Sequence, residues 1–359
     1  MTKAEVAVIG AGPVGCALAL ALQHGGRPVL LCARPGPAAM RPARFRPIAL
    51  SHASRLILAR IGAWEPLQPT PIRAIHVSQA GHFGRTRLEA ADAGVPALGY
   101  VLDYGDLAAW LLHLAQARGI PVAAEAPAAA LRVHAEGSAQ GNAPDALEKD
   151  YHQEALVALV GTDRPATTTA FERFTPEGPL ALLPLGARHA VVWATAPQRA
   201  AELAAMGEAG FLAALGAAFG TRAGAFVAAG ERGRFPLTLR VRASRIGLRQ
   251  AYVGNTSQSL HPVAGQGLNL GLRDAWDLAR LLRDAEDPGD ARLLARYAAA
   301  RRPDAMATIR VTDLLAGAFT GGGPLLGAAR GAAMTALDAF APARRFFARR
   351  MIFGTAAVP

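Results

Sequence analysis

Residues 5–23 read EVAVIGAGPVGCALALALQ. Glu5 to Ile9 is a short apolar run with strand propensity, and Cys16 to Gln23 is an Ala/Leu stretch that suits a buried helix. Between them lies Gly10-Ala11-Gly12-Pro13-Val14-Gly15, a GxGxxG turn with a strand before it and a helix after it. Gly10 permits the tight turn, Gly12 lets a pyrophosphate approach the backbone, and Gly15 lets helix and strand pack closely. The helix start also offers unpaired N–H groups and the positive end of its dipole to phosphate. With a second strand over Pro28 to Leu31, the pattern predicts a Rossmann-like α/β unit with a dinucleotide site. An Asp or Glu should close that second strand to bind a ribose hydroxyl, but the chain reads Leu31-Cys32-Ala33-Arg34. Arg34 would suit a 2′-phosphate, so FAD and NADP both stay open at this point.

The chain has 359 residues, 52% of them hydrophobic, which is ample for a packed core and excludes wholesale disorder. At roughly 100–200 residues per domain, the length suits two domains or one large α/β unit with an insertion. A formal charge of +11 raises nucleic acid or anionic lipid as partners. Only Lys3 and Lys149 are lysines, however, and the arginines are scattered along an alanine-rich chain, so no nucleic-acid partner is expected. The one basic concentration is Arg344, Arg345, Arg349 and Arg350, interleaved with Phe346, Phe347, Met351 and Phe353. It reads either as a packed terminal helix with a solvated basic face or as a membrane-surface element. Leu314 to Ala329 is apolar but broken by glycines at 321–323 and by Pro324, so no spanning helix is expected. The N-terminus runs straight into a strand without a basic and then apolar leader, which predicts a cytoplasmic protein. Cys16 and Cys32 fall in expected core elements and fit a reducing compartment, with no metal spacing.

A distant segment separates the two nucleotides. Gln250 to Val253 reads as a strand, and residues 254–282 continue GNTSQSLHPVAGQGLNLGLRDAWDLARLL. From Gln266 onward, Leu268, Leu272, Ala275, Trp276, Ala279 and Leu282 recur at helical spacing. A Gly265-Gln266-Gly267 entry presents bare N–H groups, which stabilise the negative charge of a reduced flavin without a basic side chain.

This segment resembles the second flavin-binding motif of the aromatic-ring hydroxylases, the p-hydroxybenzoate hydroxylase-like FAD monooxygenases. It is most similar to their ubiquinone-biosynthesis branch, and within it to the 2-polyprenyl-6-methoxyphenol hydroxylases. Gly254-Asn255 stands where many relatives carry Gly-Asp. Matching stretches are RPIALS (46–51), IGAW (61–64), IHVS (75–78), GHFG (81–84), ALGYV (97–101), FERFTPEGPLALLPL (171–185), ATIRVTD (307–313) and the end around 341–354. The resemblance covers nearly the whole chain. It implies an α/β fold in which a Rossmann-like FAD-binding domain (1–72, 98–140 and 245–300) carries an inserted β-rich substrate domain (73–97 and 141–244) and a helical C-terminal tail (301–359). It also implies bound FAD, NAD(P)H and O2 as co-substrates, and hydroxylation of a polyprenylated phenol in ubiquinone biosynthesis.

The resemblance assigns roles residue by residue. Gly10, Gly12, Pro13, Val14 and Gly15 would meet the pyrophosphate, and Arg46 would reach a phosphate. Gly254 and Asn255 would lie near the ribityl–phosphate region, and Pro262 against the ring. Gly265, Gln266, Gly267, Leu268 and Asn269 would form the ring edge. His261 reads as a structural histidine before a turn proline. Phe171 to Leu185 would line the substrate side, although core packing explains its apolar residues as well. Ser51 and His52 form no nucleophile arrangement.

Two departures qualify the match. Cys32 replaces the ribose-binding acid, and the middle Ala-Asp-Gly motif is represented by Glu136-Gly137 within LRVHAEGS (131–138). Between Pro121 and Leu131 a β-hairpin of roughly twenty residues, two short strands and their loop, is missing. That gap reads as a trimmed surface meander or as decay of the flavin site. Two alternatives therefore stand beside the leading one: a monooxygenase of a soluble aromatic, and a flavin-deficient homologue acting as a non-catalytic subunit of a quinone-biosynthesis complex. A prenylated substrate would bring the protein to the inner face of the cytoplasmic membrane, beside other quinone-biosynthesis proteins, with the basic, Phe-rich end as the docking element.

Overall fold

The computed structural model describes residues 5–33, 45–137, 146–318 and 324–355; Arg34 and the glycines at 321–323 lie outside the described residues. Val6–Ile9 is buried along its whole length, as a parallel strand covered on both faces must be. It pairs in parallel with Val29–Cys32 on one side and with Leu131–His134 on the other. Gln250–Tyr252 adds in parallel beside Leu131–His134, and Val122–Ala123 beside Val29–Cys32. Ile246–Gly247 closes one edge in antiparallel pairing. Helix Pro13–His24 crosses over between the first two strands, and Tyr104–Ala117 leads into the Val122–Ala123 edge. Residues 124–130, the stretch read as shortened, form a plain connection, and the strand that follows it keeps its central place in the sheet.

A second, larger sheet runs in the order Gln258–Ser259, Gly233–Arg242, Ala146–Thr162, Arg188–Thr195, Gly178–Leu185, Thr169–Thr175, Ala74–Gln79 and Arg85–Glu89, with Phe226–Ala229 beside Ala146–Thr162. Strand alternation gives it two faces. Leu156, Val160, Leu182, Val191 and Trp193 pack with Leu203, Phe211 and Leu215 of helices Pro197–Ala205 and Glu208–Phe219. The opposite face carries Ala155, Ala170, Phe174, Leu183 and Ala194. There it meets the short antiparallel sheet of Pro47–Ser51, Gly99–Asp103 and Thr70–Ile72 through Ala49, Val101 and Ile72. Helices Ala291–Ala318, Pro324–Ala339 and Ala341–Phe353 follow. Among the described residues no helix is long and apolar enough to cross a membrane.

The Gln266–Leu282 helix is tied to the first tail helix by a buried ion network. Asp274, with no accessible surface, accepts from Arg301 Nε at 2.8 Å and from Gln258 Nε2 at 2.9 Å, with Arg245 at 3.3 Å. Arg301 also meets Asp277 and Asp304 at 2.8 Å each, and Arg273 bonds Asp304 at 2.8 Å. Burial pushes the Asp274 carboxyl up, but Arg245 and Arg301 outweigh it and hold the group below the ordinary carboxylate range. A folded-state value below the unfolded one gives stability that is full above about pH 4 and is lost as the pH falls through the lower folded value. Asp274→Asn leaves two guanidinium groups under-neutralised in the interior and should cost ~3–5 kcal/mol at pH 7. Chemical denaturation checks this, and a loss within the ~0.5 kcal/mol of an ordinary surface change contradicts the network's structural role.

Candidate functional site

The first glycine turn is shaped by contacts with the backbone on either side of it. Gly10 has φ +112°, donates its N–H to Cys32 O at 2.9 Å, and approaches the next strand so closely that a Cβ would lie 2.5 Å from Ala135 O. A Cβ on Gly15 would collide with Gly10 O. These two positions must be glycine for strand, turn and helix to close at all. Gly12 differs: a Cβ there would meet only Tyr104 Oη, at 3.6 Å, so the space over its backbone is open. It caps the Pro13–His24 helix without a side-chain bond, which leaves the N–H groups of the first turn to an external acceptor. Pro13 occupies the first helical position, and Val14 turns its side chain to the second glycine segment, where a Cβ on Gly254 would meet it at 3.2 Å and one on Gly271 at 2.8 Å.

The second segment is built the same way. Gly254 donates to Asp274 Oδ2 at 3.3 Å, and Asn255 Oδ1 lies 3.9 Å from the Cβ position of Gly267. Thr256 Oγ1 accepts from Gly137 N at 3.1 Å and donates to Gly137 O at 3.3 Å, joining the Glu136–Gly137 segment to this loop. Glu136 is held by His134 Nδ1 at 3.1 Å. Pro262 leads into a 3-10 turn, Val263–Gly265, and Gly265, at φ +60°, caps the Gln266–Leu282 helix with no side-chain bond. Gln266 is buried, and Leu268 packs against the core of the first sheet. Asn269 spends its whole amide inside the protein. It donates to Ala49 O at 2.9 Å and Gly265 O at 2.8 Å, and it accepts from Ser51 N at 2.8 Å and Ser54 Oγ at 2.7 Å. Its side chain therefore brackets the turn from behind and leaves ligand contacts to the backbone.

The remaining residues fall around these two turns. The Cys32 side chain is buried in the core, so it offers no ribose contact. Arg46 donates its backbone N–H to Asp103 Oδ2 at 2.9 Å, and its guanidinium lies 5.0 Å from the Tyr104 ring centre and 5.5 Å from that of Phe235. Tyr104 thus links the exposed Arg46 to the open side of Gly12. His261 Nδ1 accepts from Val263 N at 3.1 Å, leaving Nε2 to donate to Gln153 Oε1 at 3.2 Å. Burial pushes this imidazole down to about 4, so it stays neutral and holds the turn. Beside it, Tyr151 Oη donates to Asp313 at 3.0 Å, as does Lys149 at 2.6 Å. Sequence reading missed Tyr104, Asp274 and Thr256, whose bonds span distant segments.

A family model described as FAD binding domain matches residues 162–312. The ubiquinone hydroxylase UbiL of Rhodospirillum rubrum is 32% identical over 96% of this chain and 89% of its own. The 3-demethoxyubiquinol 3-hydroxylase of Escherichia coli is 29% identical over 90% of this chain and 91% of its own. Among solved structures, p-nitrophenol 4-monooxygenase PnpA of Pseudomonas putida shares the fold at a TM-score of 0.77 and 14% identity, covering 99% of each chain. Klebsiella pneumoniae HpxO, solved with FAD and uric acid, does so at 0.75 and 15% identity, covering 98% of this chain and 97% of its own.

Since a Cβ at Gly12 has room in the protein itself, Gly12→Ala separates ligand approach from folding. It should leave the melting temperature of the FAD-free protein unchanged while weakening FAD binding by at least ~10-fold, or ~1.4 kcal/mol. Fluorescence titration with FAD checks this, and an unchanged Kd contradicts pyrophosphate placement over Gly12.

Proposed function

The chain belongs to the ubiquinone-biosynthesis hydroxylases, a family of FAD-dependent aromatic-ring monooxygenases, and from that premise we propose that it hydroxylates the ring of a polyprenylated phenol. The observation that carries the reading is the pair of uncapped helix starts, at Gly12 and Gly265, on packed helices. Bound FAD supplies the redox chemistry, taking electrons from NAD(P)H and activating O2. The chain's own residues hold and shelter it. Gly10, Gly12, Gly15 and the first turn of Pro13–His24 would hold the pyrophosphate, with Arg46 at the rim. Gly254, Asn255, Glu136 and Gly137 would frame the middle of the cofactor. Pro262, Gly265, Gln266, Gly267 and Leu268 would frame the ring, with Val14 and Asn269 fixing the two turns from behind. The FAD-binding part would comprise 1–72, 98–140 and 245–300, the substrate part 73–97 and 141–244, and the tail 301–359.

A prenyl tail favours work at a bilayer, and the tail helices carry a surface for it. Phe346 is 72% exposed, Phe340 61% and Leu325 84%, with Arg345 and Arg349 on the same terminal helix as Phe346. Exposed aromatic and aliphatic side chains beside arginines suit the headgroup region of an anionic membrane. Arg344 drops out of this set because it bonds Asp92 at 3.0 Å. Phe353 drops out too, buried with Leu88 and Leu98.

The purified protein should carry flavin absorbing near ~450 nm. It should consume NAD(P)H and O2 while adding one oxygen to a prenylated phenol, followed by mass spectrometry of the product. A folded protein that takes up no FAD would instead support the non-catalytic subunit. Arg345→Ala with Arg349→Ala should weaken binding to anionic liposomes roughly 30-fold, at about 1 kcal/mol per arginine. Unchanged co-sedimentation with the liposomes removes this docking surface.

A further inference from the structure

Glu172 lies in the middle of Thr169–Thr175, in register with Val77 on one neighbouring strand and Ala181 on the other. Alternation puts it on the face shared by Ala170 and Phe174, whereas Phe171 and Arg173 turn to the opposite face, toward Phe219 and Ala218. Ala170 packs in the cluster containing Ala49, and Phe174 in the cluster containing Val263. Both belong with one turn: Ala49 Cβ is 3.6 Å from the Cβ position of Gly265, and Val263 begins that 3-10 turn. Glu172 therefore faces the start of the Gln266–Leu282 helix across the gap between the two apolar clusters.

Nothing in the described residues explains this carboxyl as structure. It makes no hydrogen bond or ion pair there. The residue is half-buried and keeps part of its accessible surface. Its register partners on the adjoining strands are Val77 and Ala181, and Phe174, two residues along on the same face, packs with Val263, Leu315 and Ala316 of the turn and the first tail helix. The titratable groups on that side are engaged elsewhere: Tyr151 and Lys149 with Asp313, His261 with Gln153 and Val263. Arg173 and His76 lie on the far face, where they line a separate cleft with Arg222. Burial alone pushes Glu172 up to about 7.

We propose that Glu172 is the catalytic base of this site, accepting the proton of the substrate's ring hydroxyl. The proposal rests on the reading that the substrate is a phenol. In the step, the phenol O–H bond breaks, an O–H bond forms on a Glu172 carboxylate oxygen, and the electron pair stays on the phenolate oxygen; nothing is oxidised or reduced. The phenolate then donates into the ring and makes the carbon to be hydroxylated more nucleophilic. Raising the carboxyl from the usual ~4.3 toward ~7 roughly halves its distance from a phenol near ~10, which makes the transfer easier.

Glu172→Gln keeps the shape and removes the base. With FAD bound and a geranylated methoxyphenol as probe, wild-type hydroxylation should fall as the pH drops through about 7. The variant should be slower by ~10²-fold or more and lose that limb, while both proteins bind the probe's O-methyl ether alike. A second readout needs no turnover. A carboxyl raised in the folded state destabilises the fold progressively above its unfolded value and fully above its folded one. Glu172→Gln should therefore melt higher than wild type at pH 8, with the gap closing at pH 4. A variant that hydroxylates the phenol with the wild-type pH profile, or that melts no higher at pH 8, overturns the proposal. If wild type itself binds no phenol while the melting difference is present, the substrate reading fails, and the assignment of a phenolic proton fails with it.

Discussion

The Gln266–Leu282 helix is held at two buried polar points, and the crevice is positioned from them. Near its start, the Asn269 amide ties the Gly265 turn to Ala49, Ser51 and Ser54. About a turn and a half further on, Asp274 ties it to Arg245, Gln258, Arg301 and the Gly254 backbone. Both residues are nearly or wholly inaccessible to water, where each satisfied bond is strong and each lost partner costly. Four saturated amide bonds leave the helix little freedom to slide, so its bare N-terminus is presented in one place. A helix dipole stabilises charge only over its first turn, which makes such rigidity a condition of function.

The larger sheet works by contrast. One face is packed under helices, and the other carries Glu172, a carboxyl with no hydrogen bond or ion pair among the described residues, between apolar neighbours. Glu172 lowers stability wherever it is charged, and replacing it with an uncharged side chain would relieve that cost. Active sites hold such groups where binding and proton transfer need them. The Asp274 network is the opposite case. Its charges are buried too, but each finds partners within 3.3 Å, and its effect is to fix position.

What the sequence revealed was local. The Val6–Ile9 strand, the Gly10–Gly15 turn and the following helix were legible because each depends on neighbours within a few residues, and the helix from Gln266 began where its periodicity begins. The first half of the Ala146–Thr162 strand is hard to read from hydrophobicity because Glu148 to Asp150 are charged. Arg344 looked like a free basic residue because its partner, Asp92, lies far away in the chain. Asn269 looked like a ring contact because no local signal shows that its amide is already committed. Glu172 stood in plain view within a familiar stretch, yet its isolation exists only once strands at 74–79 and 178–185 close on it.

Two glycine turns and one carboxyl together would enclose a single oxygenation site. A crystal structure with FAD and a prenylated phenol tests it most directly. Pyrophosphate should lie over Gly12, the ring system between residues 262–269 and Glu172, and the phenol oxygen roughly 2.6–3.2 Å from the Glu172 carboxylate. A flavin ring turned away from that sheet face, or a phenol bound out of reach of Glu172, would contradict it.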